Sequence, residues 1–298
     1  TSYMSAGETH YPGRPRDASG VKALSLLSCK SFTASPPRNV RYYAGSLLLE
    51  QGLREEDFKE LAEAGVRCIG EIGVSGIQDP VDVKPMVEWG RKYGMKVMCH
   101  AGGPSLPGSG HMTAEAILAI QPDVVSHVNG GPASLTEDEI ERIIRQSQAG
   151  LEISLVGNLR TAVKTVDLLR RGGELHRLMI GTDMPSGSGF VPACLLYLVA
   201  FLSSVGGIAP EAAIAAGTGN TARILGVPGG FIREGEVADV VVMDSLIGSA
   251  GEDALRAFQV GDIPGVSLVI LRGEVAVFPS RYTPQARRLC LINGNSPR

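Results

Sequence analysis

The sequence has no excess of charge of either sign: 28 Lys and Arg stand against 31 Asp and Glu, a formal net charge of −3 over 298 residues. That balance leaves no basic footprint for nucleic acid. Cysteine is sparse and odd in number, at 29, 68, 99, 194 and 290, and no C-x-x-C pair occurs. Cys68 and Cys99 sit inside apolar runs, as buried reduced thiols do, so a cytoplasmic location is expected. No basic, apolar leader is read at Thr1. Long hydrophobic runs are also missing. The longest charge-free stretch, 184–210, is interrupted by Pro192, Ser203, Ser204, Gly206 and Gly207. It retains about nine continuous apolar residues, where a membrane span needs about 20. Disorder is excluded by 44% hydrophobic and 20% charged residues. A soluble globular protein is therefore expected. Glycine is in surplus, 38 residues set singly or in pairs between apolar runs, which points to tight connections.

Short apolar runs alternate with amphipathic helical patterns. Strands are expected at 1–6, 40–45, 66–71, 96–100, 124–128, 151–156 and 178–183. Helices are expected at 21–32, 55–64, 81–93, 113–120, 137–146 and 159–170. Thr136 followed by Glu139 forms a capping box for the helix at 137. Gly65, Gly94 and Gly150 fall where helices give way to strands, as C′ glycines do. Strands spaced by such helices make βαβ units and a parallel sheet. Seven strands exceed a small open sheet and suit an α/β TIM-type (β/α)8 barrel missing its first β unit. A doubly wound sheet would want G-x-G-x-x-G after its first strand, and none stands there. After Asp183 helical stretches at 194–202, 210–216 and 220–225 precede a β-rich tail with strands at 240–243, 267–271 and 275–278. The expected division is a barrel over 1–226 and part of a small C-terminal β domain over 227–298, whose partner strands must come from elsewhere.

Reactive groups of parallel barrels stand at the C-terminal ends of strands. Those ends carry Glu71 in Cys68-Ile69-Gly70-Glu71, His100 in Met98-Cys99-His100, His127 in Ser126-His127-Val128-Asn129 and Asp183 in Gly181-Thr182-Asp183. Each alone has a plain explanation: a hydrogen-bonded histidine, a loop carboxylate, the start of a turn. Two histidines and two carboxylates at equivalent strand ends converge, and a metal site is the better account.

These residues resemble the amidohydrolase superfamily, and within it the enamidase-like branch. In the superfamily a His-x-His on strand 1, a carboxylate on strand 4, histidines on strands 5 and 6 and an Asp on strand 8 hold one or two metals. With Thr1 opening strand 2, Glu71, His100, His127 and Asp183 fall on strands 4, 5, 6 and 8. The segments Ala215-Ala216-Gly217-Thr218-Gly219-Asn220-Thr221-Ala222 and Gly235-Glu236-Val237-Ala238-Asp239-Val240-Val241 look like the superfamily's closing signatures. Ser5-Ala6-Gly7 with His10-Tyr11-Pro12-Gly13-Arg14-Pro15, Ser126-His127-Val128-Asn129-Gly130-Gly131-Pro132, and Asp183-Met184-Pro185-Ser186-Gly187 are similar to the enamidase-like branch in particular. No His-x-His occurs; it is expected upstream of Thr1, so the chain reads as a piece of a longer protein. One site is then complete as Glu71, His100 and His127, while the other keeps only Glu71 and Asp183.

The resemblance implies one or two divalent metal ions, zinc in the first place and iron at the second site. It implies hydrolysis of a C–N bond in a cyclic amide by metal-activated hydroxide, with Asp183 moving the water's proton to the leaving nitrogen. The substrate implied is 6-oxo-tetrahydronicotinate, opened to 2-formylglutarate and ammonia in nicotinate degradation, by a homo-oligomer. A dihydroorotase-like or hydantoinase-like activity, and a silent fragment that only binds metal, are the alternatives. His10, Arg14 and His111 are the expected substrate contacts, Arg14 (with Arg16) as a cation for a substrate carboxylate. The loop at 102–110 is glycine-rich but lacks Gly-Lys-Ser/Thr and holds Pro104 and Pro107, so it is no phosphate cradle. His176 is expected to be structural. Cys99 is rejected as a nucleophile, because alternation turns it from the His100 face.

Overall fold

The computed structural model describes residues 1–7, 9–33, 40–130, 133–184 and 191–292. Gly131-Pro132 and Pro185-Ser186-Gly187 of the motifs above lie outside the described residues. Seven short parallel strands follow one another in chain order: β1 (Ser2–Met4), β2 (Arg41–Tyr43), β3 (Cys68–Ile72), β4 (Lys96–Cys99), β5 (Val124–Val125), β6 (Gly150–Ser154) and β7 (Leu178–Gly181). β3 to β7 form one sheet with sequential neighbours, β1 pairs with β2, and a parallel bridge from Leu47 to Ile69 links the two groups. Among the described residues no ladder joins β1 to β7, so the barrel is not closed. No helix among them is long and apolar enough to cross a membrane.

Helices α1 (Ala18–Thr33), α2 (Glu55–Ala64), α3 (Pro80–Lys92), α4 (Ala114–Ile120), α5 (Glu137–Gln146) and α6 (Leu159–Arg171) alternate with the strands. Local chemistry sets their ends. At α5 the Thr136 side chain accepts from Glu139 N, and the Glu139 carboxylate accepts from Thr136 N at 3.0 Å. Gly65 ends α2 at φ 104°, and Gly94 follows α3 at φ 77°, conformations that side-chain-bearing residues avoid. Gly150 departs from the C′ expectation. Helix α5 ends at Ser147 with extended backbone, and Gly150 already stands in β6 opposite Val124. A Cβ there would meet Met179 Sδ at 2.7 Å, so the glycine sits against a packed side chain and not in a turn. Ile69, Val97, Val125, Leu151, Ile153 and Ile180 bury the sheet against the helices in a continuous apolar core.

Helices α7 (Cys194–Ser204), α8 (Pro210–Gly217) and α9 (Gly219–Leu225) follow. The tail forms an antiparallel sheet in the order β10 (Glu274–Val277), β9 (Gly265–Leu271) and β8 (Val240–Asp244). Arg272 and Gly273, both at positive φ, make the two-residue turn between β9 and β10. Between β8 and β9 the chain adds α10 (Ala254–Val260), which is not among the expected helices. It packs on α7 and α8, and its fully buried Phe258 belongs to the barrel core, so the tail is joined to the barrel. An apolar cavity of about 410 Å³ lies between β1, β7, α7, α9 and β8, lined by Tyr3, Met4, Ile180, Val199, Leu225 and Phe231. None of the four strand-end residues lines it.

The end of β8 is pinned by charge. Asp244 accepts from Arg288 N at 2.9 Å and from Arg288 Nε and Nη2 at 2.8 Å. These bonds outweigh burial and hold its carboxyl down at about 2. A carboxyl depressed on folding adds stability that is complete above the usual carboxylate range and disappears as pH falls towards 2. Thermal melts of Asp244→Asn should therefore lie below wild type at neutral pH. The gap should close progressively on acidification; a gap constant across that range overturns this assignment.

Candidate metal centre

Parallel strands deliver their C-terminal ends to one rim. Glu71 is the penultimate residue of β3, His100 follows β4, His127 stands two residues beyond β5 and Asp183 two beyond β7. Three of these side chains meet. Glu71 Oε1 lies 2.8 Å from His127 Nε2, and His100 Nδ1 lies 3.2 Å from the same nitrogen. One donor atom from each lies within 4.8 Å of the other two. The two imidazoles cross at 65° with centroids 4.8 Å apart.

Tautomers follow from the neighbours. His100 Nε2 lies 2.8 Å from the Gly103 carbonyl, which only accepts, so Nε2 carries the hydrogen and Nδ1 turns its lone pair inwards. The glycine-rich loop after β4 thus orients His100 through a backbone carbonyl. Burial, then His127, lowers the His100 imidazole. Burial would lower His127 as well, but the Glu71 carboxylate outweighs it, helped by Asp183 and Glu152, and His127 is raised. Burial would raise Glu71; the facing His127, with His100 and His10, overcomes that and lowers it. The donor set of one carboxylate and two imidazoles, one donor atom of each within 4.8 Å of the others, fits a divalent cation. His127 has φ 29° and Asp183 φ 51°, so both stand in left-handed backbone, the kind of local strain that recurs at functional sites.

Asp183 remains outside the three-atom group, although its charge reaches His127 and Glu152. Glu152 was not singled out by the sequence, where its signal was a lone carboxylate in the apolar strand Leu151-Glu152-Ile153. It is half-buried on β6, and burial, with Glu71 and Asp183, pushes its carboxyl up to about 7. Gly181 makes room for it: a Cβ there would fall 1.5 Å from Glu152 Oε1.

His10 stands in the same electrostatic neighbourhood, its charge coupled to Glu71 and His100. Its Nδ1 is 2.8 Å from Ser75 Oγ, a residue the sequence reading also missed. Burial first, with Arg14 adding to it against the pull of Glu71, lowers this imidazole to about 4, so it is neutral. Arg14 departs from its expected role. Its side chain is 6% exposed, Nη2 pairs with Glu50 at 2.6 Å, Nη1 donates to the Pro15 carbonyl and Nε to Ser75 Oγ. Every edge of the guanidinium is engaged, so it braces Ser75 and, through it, His10; it is not a free cation for a substrate carboxylate. Arg16 is exposed. His111 is exposed beside the bridge from Gly102 to Met112, and its charge reaches His100 and Glu139. His176 lies on the surface, 3.5 Å from Glu174. The Cys99 thiol is buried and pushed far up by that burial, which makes it inert.

The profile of the amidohydrolase family matches residues 83–276. Enamidase of Eubacterium barkeri is 42% identical over 292 residues, covering 98% of this chain and 76% of that protein. The crystal structure of enamidase superposes with a TM-score of 0.93 over 97% of this chain and 75% of its own, at 42% identity. A β-aspartyl dipeptidase from Fervidobacterium islandicum AW-1 (TM-score 0.57, 16% identity, 90% of this chain and 73% of that one) shares the fold. So does a dihydroorotase (TM-score 0.54, 17% identity, 84% and 75%).

Proposed function

Since the chain belongs to the amidohydrolase family, we propose that it is an enamidase-like hydrolase that opens a cyclic enamide at its C–N bond, with 6-oxo-tetrahydronicotinate as substrate. The observation that carries this reading is the grouping of Glu71, His100 and His127, with one donor atom of each within 4.8 Å of the other two. A divalent cation held there, zinc in the first place, supplies Lewis acidity and lowers the pKa of water. Glu71 and Asp183 supply half of a second site, for which iron is the candidate. Asp183 takes the proton of the attacking water and returns it to the ring nitrogen as the lactam C–N bond breaks. The released enamine tautomerises to an imine, and a second water yields 2-formylglutarate and ammonia. His10, neutral and held by Ser75, contacts the substrate; His111, at the exposed end of its loop, is the further contact proposed.

The test is to load the purified chain with zinc or iron and follow ammonia release from 6-oxo-tetrahydronicotinate, with dihydroorotate and hydantoin as comparison substrates. Ammonia from the first supports the reading. Ring opening of only the other two points to a different cyclic amidohydrolase. One bound metal per chain without turnover of any of them makes this a silent metal-binding protein, and the proposal fails.

A further inference from the structure

The strand that delivers His127 is the shortest in the sheet, and this raises the question of what holds the ligand still. β5 is only Val124–Val125, paired with Met98 and Cys99 on one side and with Gly150 and Leu151 on the other. The chain then leaves the ladder, and His127 adopts φ 29°. One residue on, Val128 N donates to the Glu152 carbonyl at 2.8 Å. The next residue, Asn129, is fully buried and turns its side chain onto β6. Its Nδ2 donates to the Ser154 carbonyl at 2.9 Å, and its Oδ1 accepts from Ser154 N at 2.9 Å. The side-chain amide therefore pairs with Ser154 through one donor and one acceptor, as a backbone peptide does in a ladder. The orientation of the amide follows from Ser154, whose N–H needs an acceptor and whose C=O needs a donor. The Asn129 backbone carbonyl accepts from Asn158 N at 2.8 Å, and Nδ2 also faces the Asn158 carbonyl at 3.4 Å.

Gly157 is shaped to this arrangement. A Cβ there would fall 2.3 Å from Asn129 Nδ2 and 2.3 Å from the Gly130 carbonyl. Such approaches are closer than any side chain tolerates, so glycine at 157 keeps the seat of the amide open.

We propose that Asn129 is the positioning residue of His127: its side chain serves as the missing rungs of β5 and clamps the ligand-bearing loop to β6. Four ladder pairs, two on each side of β5, hold the chain before His127, and the Val128 bond and the Asn129 clamp hold it after. The strained backbone in between is thereby over-determined. Metal ligands depend on such outer partners for their aim, and loss of one typically weakens metal binding by about 10–100-fold. The proposal rests on the metal-centre reading above.

The test measures cobalt(II) affinity by chelator competition, and the visible spectrum of the cobalt-loaded chain, for wild type, Asn129→Ala and Gly157→Ala. Ile140→Ala, a buried truncation on α5, is the control for general destabilisation. Expected are a cobalt Kd raised about 10–100-fold and a shifted spectrum in both clamp variants at temperatures where they are folded. Ile140→Ala should lower the melting temperature with Kd and spectrum unchanged. Gly157→Ala leaves Asn129 itself intact, so it decides the matter if Asn129→Ala does not fold. Wild-type affinity and spectrum in a folded clamp variant, or losses equal to those of the control, overturn the proposal. A wild-type chain that binds no cobalt instead overturns the metal-centre reading, and this inference with it.

Discussion

Replacing His127 with alanine should reduce bound metal from about one ion per chain to background and abolish hydrolysis with it. His127 is the middle member of the donor set: its Nε2 lies 2.8 Å from Glu71 and 3.2 Å from His100, so truncation leaves two donors with nothing between them. A site of one carboxylate and one imidazole falls below the three protein ligands usual for a catalytic zinc. The change has a second consequence. Glu71 keeps its charge in a buried place chiefly through His127; without that partner its carboxyl is driven up towards neutrality. Removing one partner of a buried pair of this kind costs about 3 kcal/mol. Metal analysis of the folded variant and its melting temperature check both statements. Stoichiometric zinc retained by a folded His127→Ala chain overturns the site assignment.

Asp183→Asn should lower kcat by about 10²–10⁴ while metal remains at the three-residue group. Asp183 lies outside that group, so the substitution removes no donor from it. It stands at φ 51°, a conformation asparagine accepts as readily as aspartate, so the loop after β7 keeps its course. What disappears is the carboxylate proposed to accept the water's proton and pass it to the ring nitrogen. Steady-state rates beside metal content separate the two contributions. A loss of less than tenfold in a fully loaded chain removes Asp183 from proton transfer, and loss of all metal makes it a ligand of the three-residue group as well.

Much of the architecture could be read without coordinates, because the signals are local. The switch from period 2 to period 3.6, the box at Thr136 and Glu139, and the turn at Arg272-Gly273 each depend on a handful of neighbouring residues. The four strand-end residues were legible for the same reason: parallel strands present their C-terminal ends to one rim, so position along a strand stands in for position in space. Helix α10 was not among the expected helices, although Asp253 caps its start and Gly261 in left-handed backbone ends it. Gly150 was misplaced because a glycine that ends a helix and one that admits Met179 across a sheet look alike in one dimension.

The remaining features exist only where distant segments meet. Arg14 looks like a free loop cation until Glu50, 36 residues away, takes its guanidinium. Ser75 is unremarkable until it lies against His10, 65 residues before it. Glu152 gains its raised pKa from burial, with Glu71 and Asp183 adding to it, and Asn129 becomes a sheet rung only against Ser154. The sequence by itself determined the order of strands and helices, the rim residues and the family, since these follow from backbone periodicity and short motifs. The tertiary structure alone decided which polar groups are already satisfied by a partner and which are left to act on a substrate or a metal. Hydrogen bonding and burial are properties of the assembled neighbourhood, and no residue carries them alone.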